Sequence, residues 1–267
     1  MTSDLHAMLE TAQEAARTGG SILMDAFGTL RQNQIDLKGR GDYVTELDRR
    51  SEEAIIQMIR ARYPDHAINA EESGESGHSP FRWLVDPLDG TANYVQGIPI
   101  FAVSIAVLKG DDILAGVVFH PDRDEMFTAV RQGGAFLNGR PIRVSDRQKM
   151  AYAMLASGFP WRSKDYLDPY LECFKRLFLD AAGIRRMGAA AIDLAYTACG
   201  RFDGFWEMKL GPWDIAAGIL LIREAGGVAT DFHGGEAFLS SGNVVAGSKN
   251  IHSQILEVIR DNLAHIH

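Results

Sequence analysis

Cysteine is scarce in this chain of 267 residues: only Cys173 and Cys199 occur, and neither has C-x-x-C spacing. That excludes a disulfide framework and a cysteine-zinc site, and it fits a reducing compartment. No apolar run approaches the ~20 residues of a membrane span, and the N-terminus lacks the apolar core of a signal peptide. The expectation is a cytoplasmic protein. Basic charge is also short. Lys and Arg number 27 against 35 Asp and Glu, a formal net charge of −8, and no basic run stands out. Direct nucleic-acid binding is not expected. No His pair has zinc spacing. Gly133-Gly134 lacks a G-x-G-x-x-G context, so it reads as a turn and not as a nucleotide loop. His78, His120 and His233 read as lone loop residues. Neither repeats nor low-complexity tracts interrupt the chain.

What is present is an ordinary globular composition, 46% apolar and 23% charged, with length enough for one large core or two packed lobes. One stretch organises the rest. Trp83-Leu84-Val85 reads as a buried strand ending on Asp86, where Pro87 removes a ladder donor. Asp86 and Asp89 then fall in a turn that Gly90 can close at positive φ. Thr91-Ala92-Asn93 follows as the first turn of a short helix. Two carboxylates thus stand beside backbone N–H groups suited to an anion. Carboxylates and a phosphate share a site only with a cation between them, and hard divalent ions prefer such oxygens.

Along the chain, apolar residues from Leu5 to Ala26 recur at helical spacing. Ile35 to Lys38 reads as a short strand, and Gly39 to Asp42 as a mobile loop. Thr45 with Asp48 is a weak capping box at the head of a second helix. Ala67 to Ala70 is a strand running out at Glu71-Glu72, and residues 75–81 read as a variable loop. Residues 101–108, 113–119 and 125–130 form an antiparallel meander. After Arg147 strands and helices alternate, with strands at 152–156, 202–207, 228–230 and 244–247. Helices are expected around Tyr170 to Phe178, over 188–196, from Pro212 to Gly226, and at the C-terminus. The second half should carry a sheet between helices. The lobe boundary is placed at 147/148, giving lobes 1–147 and 148–267.

Glu71, Asp86, Asp89 and Asp214 share a setting at strand ends or helix starts. Taken singly, each has a plainer reading: an Asp-rich surface turn, an exposed acidic loop, a helix cap. Asp48 alone is explained by capping and the helix dipole. Taken together, an all-oxygen set suits Mg²⁺ or Mn²⁺. Two such ions could clamp a phosphate ester for hydrolysis.

Glu71-Glu72-Ser73, Asp86-Pro87-Leu88-Asp89-Gly90-Thr91 and Pro212-Trp213-Asp214-Ile215-Ala216-Ala217-Gly218, in this order and spacing, resemble the inositol monophosphatase family. Residues 157–160 and 185–196 are similar to its bacterial SuhB-like branch. Ala92 departs mildly, where a second Thr is common. The resemblance implies an αβαβα layered sandwich, of the α+β or α/β class, shared with fructose-1,6-bisphosphatase. It implies a Mg²⁺-dependent, lithium-sensitive phosphomonoesterase acting on inositol monophosphate. Glu71, Asp86 and the Leu88 carbonyl would hold one ion, and Asp86, Asp89 and Asp214 a second. Glu71 would also reach a third, and Mn²⁺ could substitute. Asp48 and Thr91, with Glu71, would carry the catalysis by ordering and deprotonating a water. Gly90 and Thr91 would bind the phosphate, and Gly188, Ala190 and Glu207 the inositol ring, with Arg185 beside them. The metal set, Glu71, Asp86, Leu88, Asp89 and Asp214, would itself face the substrate. Lys38 matches a basic residue near the cleft. The resemblance further implies a homodimer and, for SuhB-like members, association with RNA polymerase and Nus factors. Relatives that hydrolyse fructose 1,6-bisphosphate, 3′-phosphoadenosine 5′-phosphate, NADP or histidinol phosphate set the competing substrates. The Arg185-Arg186 pair could serve an interface instead of a substrate.

Overall fold

The computed structural model describes residues 2–29, 35–39, 42–160 and 163–263, with the side chains of 2–3, 35–39 and 42–44 left aside. Two helices open the chain, α1 (Thr2–Ala26) and α2 (Glu46–Arg62), with strands β1 (Ile35–Gly39) and β2 (Asp42–Thr45) paired between them. The expected loop at 39–42 therefore begins and ends in strand; its central residues, 40 and 41, lie outside the described ones, as does the side chain of Lys38.

An eight-stranded sheet follows. Its strands are β3 (Ala67–Ala70), β4 (Gly74–Ser76), β5 (Phe81–Asp89), β6 (Ala102–Lys109), β7 (Asp112–His120), β8 (Glu125–Val130), β9 (Gly134–Leu137) and β10 (Arg140–Pro141). They lie in the order β10-β9-β8-β7-β6-β5-β3-β4. All neighbours are antiparallel except β3 and β5. The meander is as read from sequence. Residues 75–81, expected as loop, contribute to β4, whose pairing hides in a polar segment. His120, expected in a loop, ends β7 and is buried opposite Glu125.

Strand β6 shows why the sheet sits inside the molecule. Val103, Ile105 and Val107 pack on one side with α1 and α2. Ala102, Ala106 and Leu108 pack on the other, with the small residues of two later helices. A strand covered on both faces reads as a continuous apolar run, because alternation places every side chain in a core.

Those later helices are α5 (Ala190–Ala198) and α6 (Pro212–Glu224), with α3 (Thr91–Val95) and α4 (Leu167–Asp180) before them and α7 (Phe238–Ser241) and α8 (Lys249–Leu263) after. A second sheet has the order β12-β11-β13-β15-β14. Its strands are β11 (Met154–Ser157), β12 (Gly183–Arg185), β13 (Gly204–Glu207), β14 (Val228–Thr230) and β15 (Val244–Gly247). β11 runs parallel to β12 and β13, while β15 is antiparallel to β13 and β14. Tyr170, Cys173 and Leu177 of α4 join Ile251, Ile255 and Ile259 of α8 over its outer face. The layers are thus α1/α2, the eight-stranded sheet, α5/α6, the five-stranded sheet and α4/α8: the αβαβα sandwich. Among the described residues, no helix is long and apolar enough to cross a membrane.

Candidate active site

Strand β5 does not stop at Asp86. It runs on to Asp89 through an irregularity: Asp86 pairs with Ser104 and Asp89 with Ala102, so two residues on β5 stand against one on β6. Pro87 sits in that bulge, one of the few sheet positions where a missing N–H is tolerated. The bulge is what puts Asp86 and Asp89 at one corner. Asp86 follows Leu84 on the α5/α6 side, and its partner Ser104 donates from Oγ to the Trp213 carbonyl at 2.8 Å. That bond seats the first turn of α6, hence Asp214, against the strand.

Carboxylate oxygens of Glu71, Asp86 and Asp214 all lie within 4.8 Å of one another. Glu71 arrives from the parallel neighbour, its N–H donating to the Val85 carbonyl at 3.0 Å. Asp86 is fully enclosed, and burial pushes its carboxyl well above the usual range, with Glu71, Asp89 and Asp214 pushing the same way. Three acids crowded together form the arrangement a hard divalent ion resolves, since every donor is a carboxylate oxygen. Asp89 faces the same corner, and its Oδ2 accepts from the Ala191 N–H of α5 at 2.7 Å.

Gly90 closes the turn at φ 90°. A Cβ there would sit 2.9 Å from the Ile100 carbonyl oxygen. The position therefore requires glycine on two counts. Thr91 then starts α3. Its Oγ1 lies 3.0 Å from the Leu88 carbonyl and 3.3 Å from Asp48 Oδ1. Asp48 is almost wholly buried. Its Oδ2 accepts from the Thr45 N–H at 2.9 Å and the Thr45 hydroxyl at 2.5 Å, completing the capping box. Burial raises its pKa to about 6 despite those bonds. Capping and contact with Thr91 coexist because they use different oxygens.

Gly188 and Ala189 lie against the Gly90 turn, followed by Ala190, and Glu207 stands on β13. Ala190 opens α5, next to the amide that Asp89 accepts from. Glu207 ends β13, its carboxylate lying directly over Gly158. Arg185 is exposed and turns back on its own chain, Nη1 donating to the Ile184 carbonyl at 3.1 Å. Its neighbour Arg186 instead lies over Gly188, as does the Asn93 amide.

Several supporting residues escaped the sequence reading. Glu52 is buried on α2, and its two oxygens accept from the Glu72 and Ser73 N–H groups at 2.8 and 2.9 Å. It thereby fixes the loop that carries Glu71. Ser51 donates to the Pro87 carbonyl at 3.3 Å, inside the bulge. Asp48, Ser51 and Glu52 stand at i, i+3 and i+4, on the face that buries Ile55 and Ile59. Polar residues placed on the apolar stripe were the available signal. Asn93 joins the halves, its amide donating to the Ile100 and Met187 carbonyls at 2.8 and 2.9 Å. Nothing in local sequence marked it.

A five-layer αβαβα sandwich with an all-carboxylate cluster at its central seam defines a protein of the sugar-phosphatase fold. More narrowly, the chain belongs to the inositol monophosphatase family, whose sequence profile matches residues 4–264. It is 43% identical to the inositol-1-monophosphatase of Mesorhizobium japonicum over 260 residues, 97% of this chain and 98% of that one. It is 45% identical to the Nus factor SuhB of Escherichia coli (strain K12) over 263 residues, again 97% and 98%. The crystal structure of the extragenic suppressor protein SuhB from Bartonella henselae superposes with a TM-score of 0.92 at 41% identity, covering 96% of this chain and all of that one.

Proposed function

We propose that the protein is a Mg²⁺-dependent phosphomonoesterase that releases phosphate from inositol monophosphate and related small esters. The observation that carries this is the meeting of Glu71, Asp86 and Asp214 within 4.8 Å, beside the Thr91–Asp48 pair. Glu71, Asp86 and the Leu88 carbonyl are suited to one ion, and Asp86, Asp89 and Asp214 to a second, with Glu71 reaching a third. Bound there, Mg²⁺ or Mn²⁺ would acidify a water and offset charge gathering on the phosphoryl oxygens. Asp48 accepts a proton through Thr91 Oγ1, which can donate to Asp48 while receiving from a water. Gly90 and Thr91 offer N–H groups to the phosphate, and Gly188, Ala190 and Glu207 form the wall that meets the ring. Lobe 1–147 supplies most of the carboxylates, and lobe 148–267 adds Asp214 and the ring wall.

The test is a panel of phosphate esters ranked by kcat/KM with Mg²⁺, including inositol monophosphate, fructose 1,6-bisphosphate, 3′-phosphoadenosine 5′-phosphate, NADP and histidinol phosphate. Inositol monophosphate should lead and lithium should inhibit. A panel without turnover refutes the reading, and a different leader reassigns the substrate.

A second reading concerns partners. The 45% likeness to a Nus factor over 97% of the chain favours binding to RNA polymerase or Nus factors, and Arg185 is exposed for such use. A pull-down that survives Asp89→Asn would separate binding from chemistry. On α4, Leu167, Leu171, Phe178 and Leu179 are exposed, a face suited to a second copy; sedimentation should show a homodimer. Localisation in the cytoplasm belongs to the same proposal.

A further inference from the structure

Of the buried acids that this scheme does not use, Asp193 alone among the described residues keeps an enclosed oxygen without a partner. Asp193 lies in the first two turns of α5, between Ile192 and Leu194, and is 1% exposed. Its Oδ1 is enclosed with no hydrogen-bond partner among the described residues. An unpaired buried oxygen is costly, and native proteins seldom keep one without a use. Helix capping does not supply that use. The N–H of Ala191 is taken by Asp89, and Asp193's own N–H donates to the Ala189 carbonyl. Nor does packing: the rest of the turn, Ala190, Ala191 and Ile192, is apolar and fully buried.

Its surroundings are specific. The charged groups that act on Asp193 are Glu207, Asp89 and Arg186. Glu207 lies over Gly158, and Arg186 Nη1 would be 3.0 Å from a Cβ on Gly188. Gly188 has φ 85°, so the chain can double back there and bring Arg186 over the start of α5. An acid on β13, an arginine before α5 and an acid within α5 thus lie near enough to act on one another, beside Asp89, which is tied to the same turn of α5. Alternating acceptors and donors of this kind recognise vicinal hydroxyl groups.

We propose that Asp193 is a positioning residue for the alcohol half of the substrate, a polyol, and acts through Glu207 and Arg186. This rests on the phosphatase reading above. When a polyol occupies the wall, its hydroxyls engage Glu207 and Arg186, and the lone Oδ1 gains its partner in the completed network. The residue then governs KM for hydroxylated esters and leaves kcat alone.

The experiment compares wild type, Asp193→Leu and Asp193→Asn on inositol monophosphate and on p-nitrophenyl phosphate, whose alcohol has no hydroxyls to recognise. Asp193→Leu should raise KM for inositol monophosphate about five- to tenfold, the loss of one hydrogen bond's worth of binding. It should leave kcat, and KM for p-nitrophenyl phosphate, within about twofold. Its melting temperature should be equal or higher, because an unpaired polar group is gone. Asp193→Asn keeps polar atoms in the same plane and should restore KM. Equal KM changes on both esters, no change on either, or no rescue by Asn would overturn the proposal. If Asp193→Leu fails to fold, Asp193→Ala takes the same comparison. Free myo-inositol supplies a readout apart from turnover. It should raise the melting temperature of wild type but not of Asp193→Leu, and a wild type that does not respond also overturns the proposal. A wild type that binds inositol yet hydrolyses neither ester would sink the phosphatase reading alone.

Discussion

Replacing Asp86 by Asn should make the metal-free protein more stable and the metal-bound protein less so. Oxygens of Glu71 and Asp214 lie within 4.8 Å of Asp86. At that spacing, a pair of full negative charges repels by about 3.5 kcal/mol at an effective dielectric near 20. Proton uptake relieves part of this, and burial already drives the Asp86 carboxyl toward its protonated form. A net relief of about 1–3 kcal/mol remains, which for a chain of this size is a rise in Tm of about 2–5 °C. Asn is the right probe because Asp86 Oδ1 accepts from the Leu88 N–H at 2.9 Å, a bond its amide oxygen can keep. With Mg²⁺ at about a hundred times its Kd, wild type gains about 2.7 kcal/mol by mass action, and Asp86→Asn should gain little. The two melting curves should therefore change places between EDTA and excess Mg²⁺. The sign over pH is also fixed. A carboxyl with a raised folded pKa binds its proton more tightly in the native state, so metal-free stability is greatest at low pH and falls as pH climbs above the unfolded value. Asp86→Asn should flatten that fall. If the variant in EDTA melts at or below wild type, the acids do not repel as argued, and the case for a cation among them weakens with it.

Asp48, raised to about 6 by burial, should give kcat/KM an acidic limb that rises through about pH 6 as the carboxyl ionises; Asp48→Asn should remove the limb along with most activity. Its stability term has the sign of a raised acid, present below the ordinary value of 3.8 and lost as pH passes about 6, which urea titrations across that range would detect. Glu52→Ala leaves the Glu72 and Ser73 amides without their acceptor and should cost about 2–4 kcal/mol in urea unfolding, with a loss of activity that Glu52→Gln restores only in part; wild-type kinetics in Glu52→Ala would show that the loop needs no such clasp. Gly90→Ala meets both a left-handed φ and the Ile100 carbonyl and should lower stability by about 1–3 kcal/mol or more, whereas a variant with unchanged Tm would mean that the turn can relax.

Much of this architecture is written in local pattern. The meander from Phe101 to Val130 is legible because β6, β7 and β8 are β-rich runs punctuated by turn residues. Helix α8 is legible because it carries a period-3.6 apolar face, whereas α6, buried on all sides, is marked by Pro212 at its start and Gly226-Gly227 past its end. The irregular course of β5 is not. Pro87 signals an interruption, but only the cross-strand register distinguishes a strand that ends from one that bulges and resumes. Nor does sequence give the direction of an arginine. Arg185 and Arg186 are adjacent and chemically alike, yet only Arg186 folds back over Gly188, where the chain takes a left-handed bend. Glu52 and Asp193 were passed over for one reason. Each is a polar residue on a face that packing rules assign to the core, so it reads as noise until the groups it meets are known: Glu72 and Ser73 for Glu52, Arg186 and Glu207 for Asp193.

The cluster also raises the question of what holds like charges together before any cation arrives. The answer lies in backbone amides. Asp86 accepts from Leu88, Asp89 from Ala191, Asp214 from Gly211 at 2.8 Å and Asp48 from Thr45. Each of these acids has one oxygen tied by a peptide N–H whose place is set by secondary structure: a bulge, the start of α5, the start of α6 and the start of α2. Such charge-assisted bonds are among the stronger ones available to a carboxylate. They orient the acids without using another side chain, and the fold, not the ion, sets the geometry. A site built this way changes little when its cation enters, which is the condition for electrostatic stabilisation without reorganisation. The repulsion left over is the free energy that ion binding releases. The two helix starts that fix Asp89 and Asp214 come from the second half of the chain, and the bulge comes from the first, so the site exists only where the sandwich closes.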